Sequence, residues 1–179
     1  MIGPPDAKAD ILGAIPHLRA FAISLTSDVD RADDLVQEAL VRGLSHLDSF
    51  TSGTNMQAWL FTILRNQFHT VYRKRRREVE DPDGALASGL SIPPEQHGHL
   101  DLQDLQTALM QLPFEQREAL LLVGAQGFSY EDAARICGAR IGTIKSRVNR
   151  ARMALADRLG VEDTGDLGSD WTTKSAIRR

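Results

Sequence analysis

Cys137 is the single cysteine, so the chain can form neither an internal disulfide framework nor a multi-cysteine zinc site. A reducing cytoplasm is the expected setting. A run of about 18 apolar residues is missing, which excludes a transmembrane helix. The first fifteen residues carry Asp6 and Asp10 and no cationic start ahead of an apolar stretch, so no secretory signal is expected. Catalytic signatures are missing as well: no paired Glu/His metal motif, no phosphate-cradling glycine loop, no nucleophile elbow. His17, His46, His69, His97 and His99 are scattered, and His97 and His99 could touch a metal only weakly. Neither a cofactor, a metal nor an enzymatic activity is expected.

The 179 residues suffice for one ordinary domain or two small ones of roughly 60–90 residues each. Hydrophobic residues at 42% and charged residues at 25% describe a soluble globular chain. The formal net charge of -3 is not that of a free-standing DNA binder, which would be basic. The average conceals a segregation. Arg65, Arg73, Lys74, Arg75, Arg76 and Arg77 share a stretch without an acid. Glu78, Glu80, Asp81, Asp83, Glu95, Asp101 and Asp104 then follow without a Lys or Arg. Arg135, Arg140, Lys145, Arg147, Arg150, Arg152 and Arg158 come next, opposed only by Asp157. Two basic blocks flank an acidic one.

Pro82, Gly84, Gly89, Pro93, Pro94 and Gly98 mark residues 81–99 as a linker. It separates an N-terminal domain, residues 8–80, from a C-terminal domain, residues 100–160. Residues 161–179 read as a flexible polar tail, in which Trp171 alone could dock on something. Sustained two-residue alternation is absent, so the fold class is all-α. N-terminal helices are expected at Ala9–Leu25, Asp30–Leu47 and Met56–Arg76. Ser27 or Asp28 caps the second, and a turn-rich loop spans Asp48–Asn55. C-terminal helices are expected at Leu100–Gln111, Pro113–Ala125, Ser129–Cys137 and Gly142–Leu159. Pro113 suits a first helical residue, Gly127 a helix stop, and Ser129 with Asp132 a capping box. A short helix, a tight turn at Gly138–Ala139 and a long cationic helix form the helix-turn-helix pattern.

Each charged block has a bland reading. A cationic helix is usually a solvated face. Here it is the second helix of a helix-turn-helix, where Arg and Lys near the start reach guanine edges and phosphates. Thr143 and Ser146 can donate to phosphate at the same end, favoured by the helix dipole. On the third helix, Leu60, Ile63, Leu64, Phe68 and Val71 cover one side at about 100° per residue, and Thr62, Arg65, Asn66, His69 and Arg73 the other. Trp59, Phe61, Phe68 and Tyr72 read as core rather than as stacking platforms. Asn66, among arginines beside a flexible loop, suits hydrogen bonding to an unpaired base. Asp28, Asp30, Asp33, Asp34 and Glu38 would suit a basic protein partner. The helix dipole alone accounts for Asp28, Asp30 and Asp33.

DDLVQEAL at Asp33–Leu40, AWLFTILRN at Ala58–Asn66 and RKRRREVED at Arg73–Asp81 resemble the sigma-two domain of extracytoplasmic-function (ECF) RNA polymerase sigma factors. LPFEQREALLLVGAQGFSYEDAARICGARIGTIKSRVNRAR at Leu112–Arg152 is similar to their sigma-four domain. The combination of GTNMQAWLFTILRN with YRKRRREVED is most similar to the general-stress branch of alphaproteobacteria. The match covers about residues 10–160, in order.

The resemblance implies two small helical domains, a sigma-two bundle and a sigma-four helix-turn-helix domain, joined by an extended acidic linker. It implies a sigma factor that directs promoter-specific initiation of stress genes under an anti-sigma protein. Asp34, Gln37 and Glu38 match the surface that docks on the β′ clamp helices of core polymerase, whose β flap is the second contact. Arg65, Asn66, His69, Arg73, Arg75 and Arg76, with the loop Ser49–Asn55, match the part that melts and reads the minus-ten element. There a base flipped from the non-template strand is captured. Arg140, Thr143, Lys145, Ser146, Arg147, Arg150 and Arg152 match the reader of the minus-thirty-five element. The expected partners are core polymerase, promoter DNA and an anti-sigma factor, without a membrane; the free chain is expected to be a monomer, cytoplasmic, and nucleoid-associated in holoenzyme. One alternative is a sigma-like decoy that binds an anti-sigma factor and not DNA. It would have no reason to keep Lys145, Arg147, Arg150, the Arg73–Arg77 cluster and Asn66, and the family's decoys carry a receiver domain for which this chain has no room. Another alternative, a helix-turn-helix repressor, would be a dimer with one reading head and would not need the second basic block.

Overall fold

A computed structural model describes residues 5–78 and 102–160, with side chains from 7 to 72 and from 104 to 160. The expected linker and tail, with His97, His99 and Trp171, lie outside the described residues, as do the side chains of Arg73, Arg75 and Arg76.

The described residues form helices α1 (Pro5–Thr26), α2 (Val29–Ser45), α3 (Met56–Glu78), α4 (Leu102–Met110), α5 (Phe114–Leu120), α6 (Tyr130–Cys137) and α7 (Ile141–Leu159), and contain no strand. Local chemistry sets their ends. Asp28 rather than Ser27 caps α2, its carboxylate accepting from the Arg31 N–H at 3.0 Å. Ser27 makes the turn before it, at φ 53°. The side chain of Asn55 accepts from the Ala58 N–H at 3.1 Å and starts α3, a cap hidden in the turn-rich loop. Pro113 stands one residue ahead of α5 instead of inside it, its carbonyl accepting from the Gln116 and Arg117 N–H groups. The chain then widens into a π-helical turn at Leu121–Ala125. Ser129 accepts from the Asp132 N–H at 3.0 Å and opens α6; Gly138, at φ 60°, closes it in the left-handed conformation that glycine takes without strain.

Helices α1, α2 and α3 bury Leu18, Phe21, Leu35, Val36, Leu60 and Leu64 between them. The closest approach is at Gly43, where a Cβ atom would meet Leu60 Cδ2 at 2.9 Å. Ile144 and Val148 of α7 pack on α5 and α6, and Leu155 joins Ala108 and Leu112 in a smaller cluster that fastens α4 to α7.

The two halves are not separate beads. Buried residues from α1 to α3 and from α5 to α7 form one contiguous core. Phe61 joins them: it is fully buried, its ring 5.0 Å from Phe21 and 4.9 Å from Phe128, the latter edge to face. Burying a phenylalanine is worth about 1.5–3 kcal/mol relative to exposing it, so two rings meeting across the halves is a substantial attraction. Periodicity shows that a helix side is apolar; it does not show which element covers it.

Candidate nucleic-acid interfaces

Helix α7 sorts its polar residues by direction. Ile144, Val148, Ala151 and Leu155 face the core. Lys145, Ser146 and Arg150 are exposed, and Arg140 stands exposed just before the helix. Lys145 Nζ lies 5.5 Å from the centre of the Tyr130 ring at the start of α6, a cation–π contact that holds it near the helix start. Thr143, Arg147 and Arg152 are half-buried. Arg147 is near enough to Cys137 to act on its thiol. Burial, with the charge of Glu118, nevertheless pushes that thiol up to about 12, so Cys137 remains protonated and unreactive. Asn149 lies outside the reader residues expected from the sequence. It is exposed and follows Lys145 and Ser146 by four and three residues, the spacing that puts all three on one helix face.

Helix α3 divides its polar side. Asn66 is exposed. Arg65 and His69 instead meet the other half of the molecule. Arg65 donates from Nε to Glu118 Oε1 at 2.6 Å and from Nη2 to Oε2 at 3.2 Å. His69 Nε2 stands 3.7 Å from the same carboxylate, beyond hydrogen-bond distance, and its ring meets Phe114 edge-on at 4.9 Å. The Glu118 side chain is 0% exposed, and those of Arg65 and His69 only 15% and 21%. Burial opposes ionisation of Glu118, but the His69 and Arg65 side chains outweigh it and hold the carboxyl below its ordinary range. The Cys137 thiol donates to Glu118 Oε2 at 3.5 Å. Neither Glu118 nor Phe114 stood out in the sequence, because each lies in an ordinary amphipathic pattern. The one available hint was an acid at a core position of α5.

Helix α2 presents Asp34, Gln37 and Glu38 to solvent. Glu38 pairs with Arg42 at 3.0 Å. Asp33 turns away and pairs with Arg19 at 2.7 Å. Val41 and Leu44, 63% and 58% exposed, continue the same side of the helix. Asp34 and Glu38 also rim a groove of about 640 Å³ between the halves. Its floor is aromatic: Phe114 stacks on Phe68 at 5.3 Å, and Tyr72 on Phe68 at 5.8 Å. Arg117 lies over Phe114 at 5.7 Å, its guanidinium lowered from its ordinary value by burial. Among the described residues no group of His, Cys, Asp and Glu could hold a metal ion, and no helix is long and apolar enough to cross a membrane.

An acid-and-aliphatic face on α2, an amide-bearing face on α3 and an exposed cationic face on α7, the second helix of a helix-turn-helix, lie on one all-helical molecule. The Sigma-70 region 2 family profile matches residues 14–78, and the Sigma-70, region 4 profile matches residues 102–155. The chain is 60% identical over 170 residues to the ECF RNA polymerase sigma factor EcfG of Rhodopseudomonas palustris (strain TIE-1), covering 95% of this chain and 94% of that one. It is 39% identical over 135 residues to the ECF sigma factor SigC of Mycobacterium tuberculosis, covering 74% and 72%. Among solved structures it is similar to the sigma factor RpoE of Bartonella quintana, in complex there with the anti-sigma factor NepR. The TM-score is 0.80 and the identity 55%, over 89% of this chain and 100% of that one. The chain belongs to the ECF family of RNA polymerase sigma factors, the subunits that bring core polymerase to promoter DNA.

Proposed function

We propose that this sigma factor serves general-stress promoters in the cytoplasm, joins the nucleoid in holoenzyme, and is restrained by an anti-sigma protein. The N-terminal domain, residues 8–80, grips core polymerase and opens the minus-ten element; the C-terminal domain, residues 100–160, reads the minus-thirty-five element. Asp34, Gln37 and Glu38 supply charge for basic clamp helices, and Val41 and Leu44 supply the apolar contact beside them. Lys145, Ser146, Asn149 and Arg150 enter the major groove, with Arg140, Thr143, Arg147 and Arg152 around them. Asn66 takes an unstacked base, and Arg65, His69, Arg73, Arg75 and Arg76 the strand that carries it.

The observation that carries this reading is the cover over α3. Arg65 and His69 cannot meet a phosphate while Glu118 holds them, so strand capture requires the halves to part. Core polymerase parts them by holding each at promoter spacing, which raises the effective concentration of the second reader once the first is bound. An anti-sigma protein does the reverse by filling the groove between the halves. Asp34 and Glu38 rim that groove, so anti-sigma and core polymerase compete for them. The relative of Bartonella quintana, solved with its anti-sigma factor, supports such a partner.

Promoter DNA is expected to bind the free chain weakly and the holoenzyme well, read by fluorescence anisotropy on one labelled promoter. Equal affinity with and without core polymerase contradicts the reading. Lys145→Ala in holoenzyme is expected to weaken binding by about 1–3 kcal/mol on promoters with the upstream element and by nothing on promoters lacking it. A uniform loss on both would make Lys145 a phosphate contact instead.

A further inference from the structure

Trp171 and the cations after it have no place in the account so far. Residues 161–179 follow α7, and their charges are ordered along the chain. Glu162, Asp163, Asp166 and Asp170 come first, Trp171 next, and Lys174, Arg178 and Arg179 last, with Ile177 among them. The nine residues from Trp171 to Arg179 contain no acid.

The groove between the halves carries the complementary set. Its α5 wall holds Arg117, which contacts the Met110 carbonyl and sulfur and the Phe114 ring and pairs with no carboxylate among the described residues. Its α2 wall holds Asp34 and Glu38. Glu38 already pairs with Arg42, whereas Asp34 has no partner among the described residues. Tyr72 and Val71 of α3 and Met110 of α4 stay 48%, 42% and 39% exposed along the groove, apolar surface that the closed helices leave uncovered. The end of α7 lies at the groove's edge. Arg158 donates from Nε to Gln111 Oε1 at 3.2 Å, and Gln111 stands between Met110 and Leu112, both in the groove wall. Gly160, at φ 63°, ends α7 there. Trp171 comes eleven residues after Gly160, a reach of about 36–40 Å when extended. The chain after α7 therefore starts on the α4–α5 side with its acids and has the length to bring its cations to α2.

We propose that residues 170–179 dock in the groove of their own chain, Trp171 against the rings of Phe68, Tyr72 and Phe114 and the cations toward Asp34 and Glu38, and so compete with core polymerase for α2. Tethering gives the segment an effective concentration of about millimolar, so a contact too weak to hold a free peptide is occupied within one chain. The competition rests on the assignment of Asp34 and Glu38 to core polymerase; the docking does not.

The test uses the full chain labelled with 5-fluorotryptophan, in which Trp171→Phe tells the Trp171 fluorine resonance from that of Trp59. The Trp171 resonance is expected away from its position in the urea-unfolded chain, and unmoved by about a tenfold dilution. Val71→Arg, which puts a cation in the groove, is expected to move it at least halfway to the unfolded position, as is the combined change Lys174→Glu, Arg178→Glu and Arg179→Glu. Tyr72→Ala stands in if Val71→Arg fails to fold. In titrations with bacterial core polymerase, Trp171→Ala is expected to bind about threefold more tightly than the unaltered chain. An unfolded-like resonance in the unaltered chain overturns the docking and leaves the groove to a separate partner. A displacement that vanishes on dilution gives the groove to the tail of a second copy and overturns the contact within one chain. A docked Trp171 with core affinity unchanged in Trp171→Ala overturns the competition. If the unaltered chain binds no core polymerase, the proposed function fails and the competition with it, while the resonance still decides the docking.

Discussion

Glu118→Gln is expected to part the two halves of the molecule. The substitution leaves Arg65 facing a neutral amide in a site where the guanidinium side chain is only 15% exposed. Removing one partner of a buried pair is destabilising by about 3–5 kcal/mol, because the remaining charge stays desolvated. Separation of the halves relieves Arg65 by returning it to water, so much of that loss falls on the closed arrangement. A shift of about 3 kcal/mol changes the closed-to-open ratio roughly 100-fold. Energy transfer between dyes on α2 and α7 reads the opening, and the free chain is expected to gain affinity for forked promoter DNA in proportion. Arg65→Gln combined with Glu118→Gln is expected to cost much less than the sum of the single changes, the mark of a coupled pair. Unchanged transfer efficiency in Glu118→Gln, with α5 to α7 still folded, would remove the pair from the account.

The same carboxylate sets an acid limit. Its folded-state value lies below the ordinary glutamate range, so the pair contributes fully above the unfolded value of about 4.3. The contribution is lost as acid takes the carboxyl through its lower folded-state value. Acid opening of the halves is therefore expected only below about pH 4, and that step disappears in Glu118→Gln. His69, Arg65 and Cys137 are the ionisable groups that face it.

Asn66→Ala is expected to spare promoter engagement and to impair strand opening. The duplex is met first through phosphates and through α7, neither of which uses the amide. Opening requires a base to leave the stack, at a few kcal/mol, offset by contacts in the pocket that receives it. With the exposed amide removed, open complexes are expected to form about tenfold to a hundredfold less. Permanganate reactivity of unpaired thymines measures this directly, alongside total promoter binding. Normal reactivity would end the role of Asn66.

Helix type and register were legible because each core helix carries its stripe in sequence: Leu35, Ala39 and Leu40 on α2, although Leu44, which continues that stripe, is 58% exposed, and Ile144, Val148, Ala151, Leu155 and Leu159 on α7. Caps with a hydroxyl or carboxylate at the right spacing, Asp28 and Ser129, were legible for the same local reason. The contact between the halves was not. Arg65 and His69 sit on the polar side of α3 and read as free to meet DNA; the acid that holds them lies 53 positions from Arg65 in the chain. Pairing at such separation leaves no periodic trace.

Run-off transcription with purified bacterial core polymerase on a general-stress promoter tests the account most directly. A transcript of defined start is expected only when this chain is added, abolished by disruption of either promoter element and suppressed when an anti-sigma protein is added before the core enzyme. A chain that binds core polymerase yet starts no transcript, or one that starts transcripts irrespective of both elements, would contradict it.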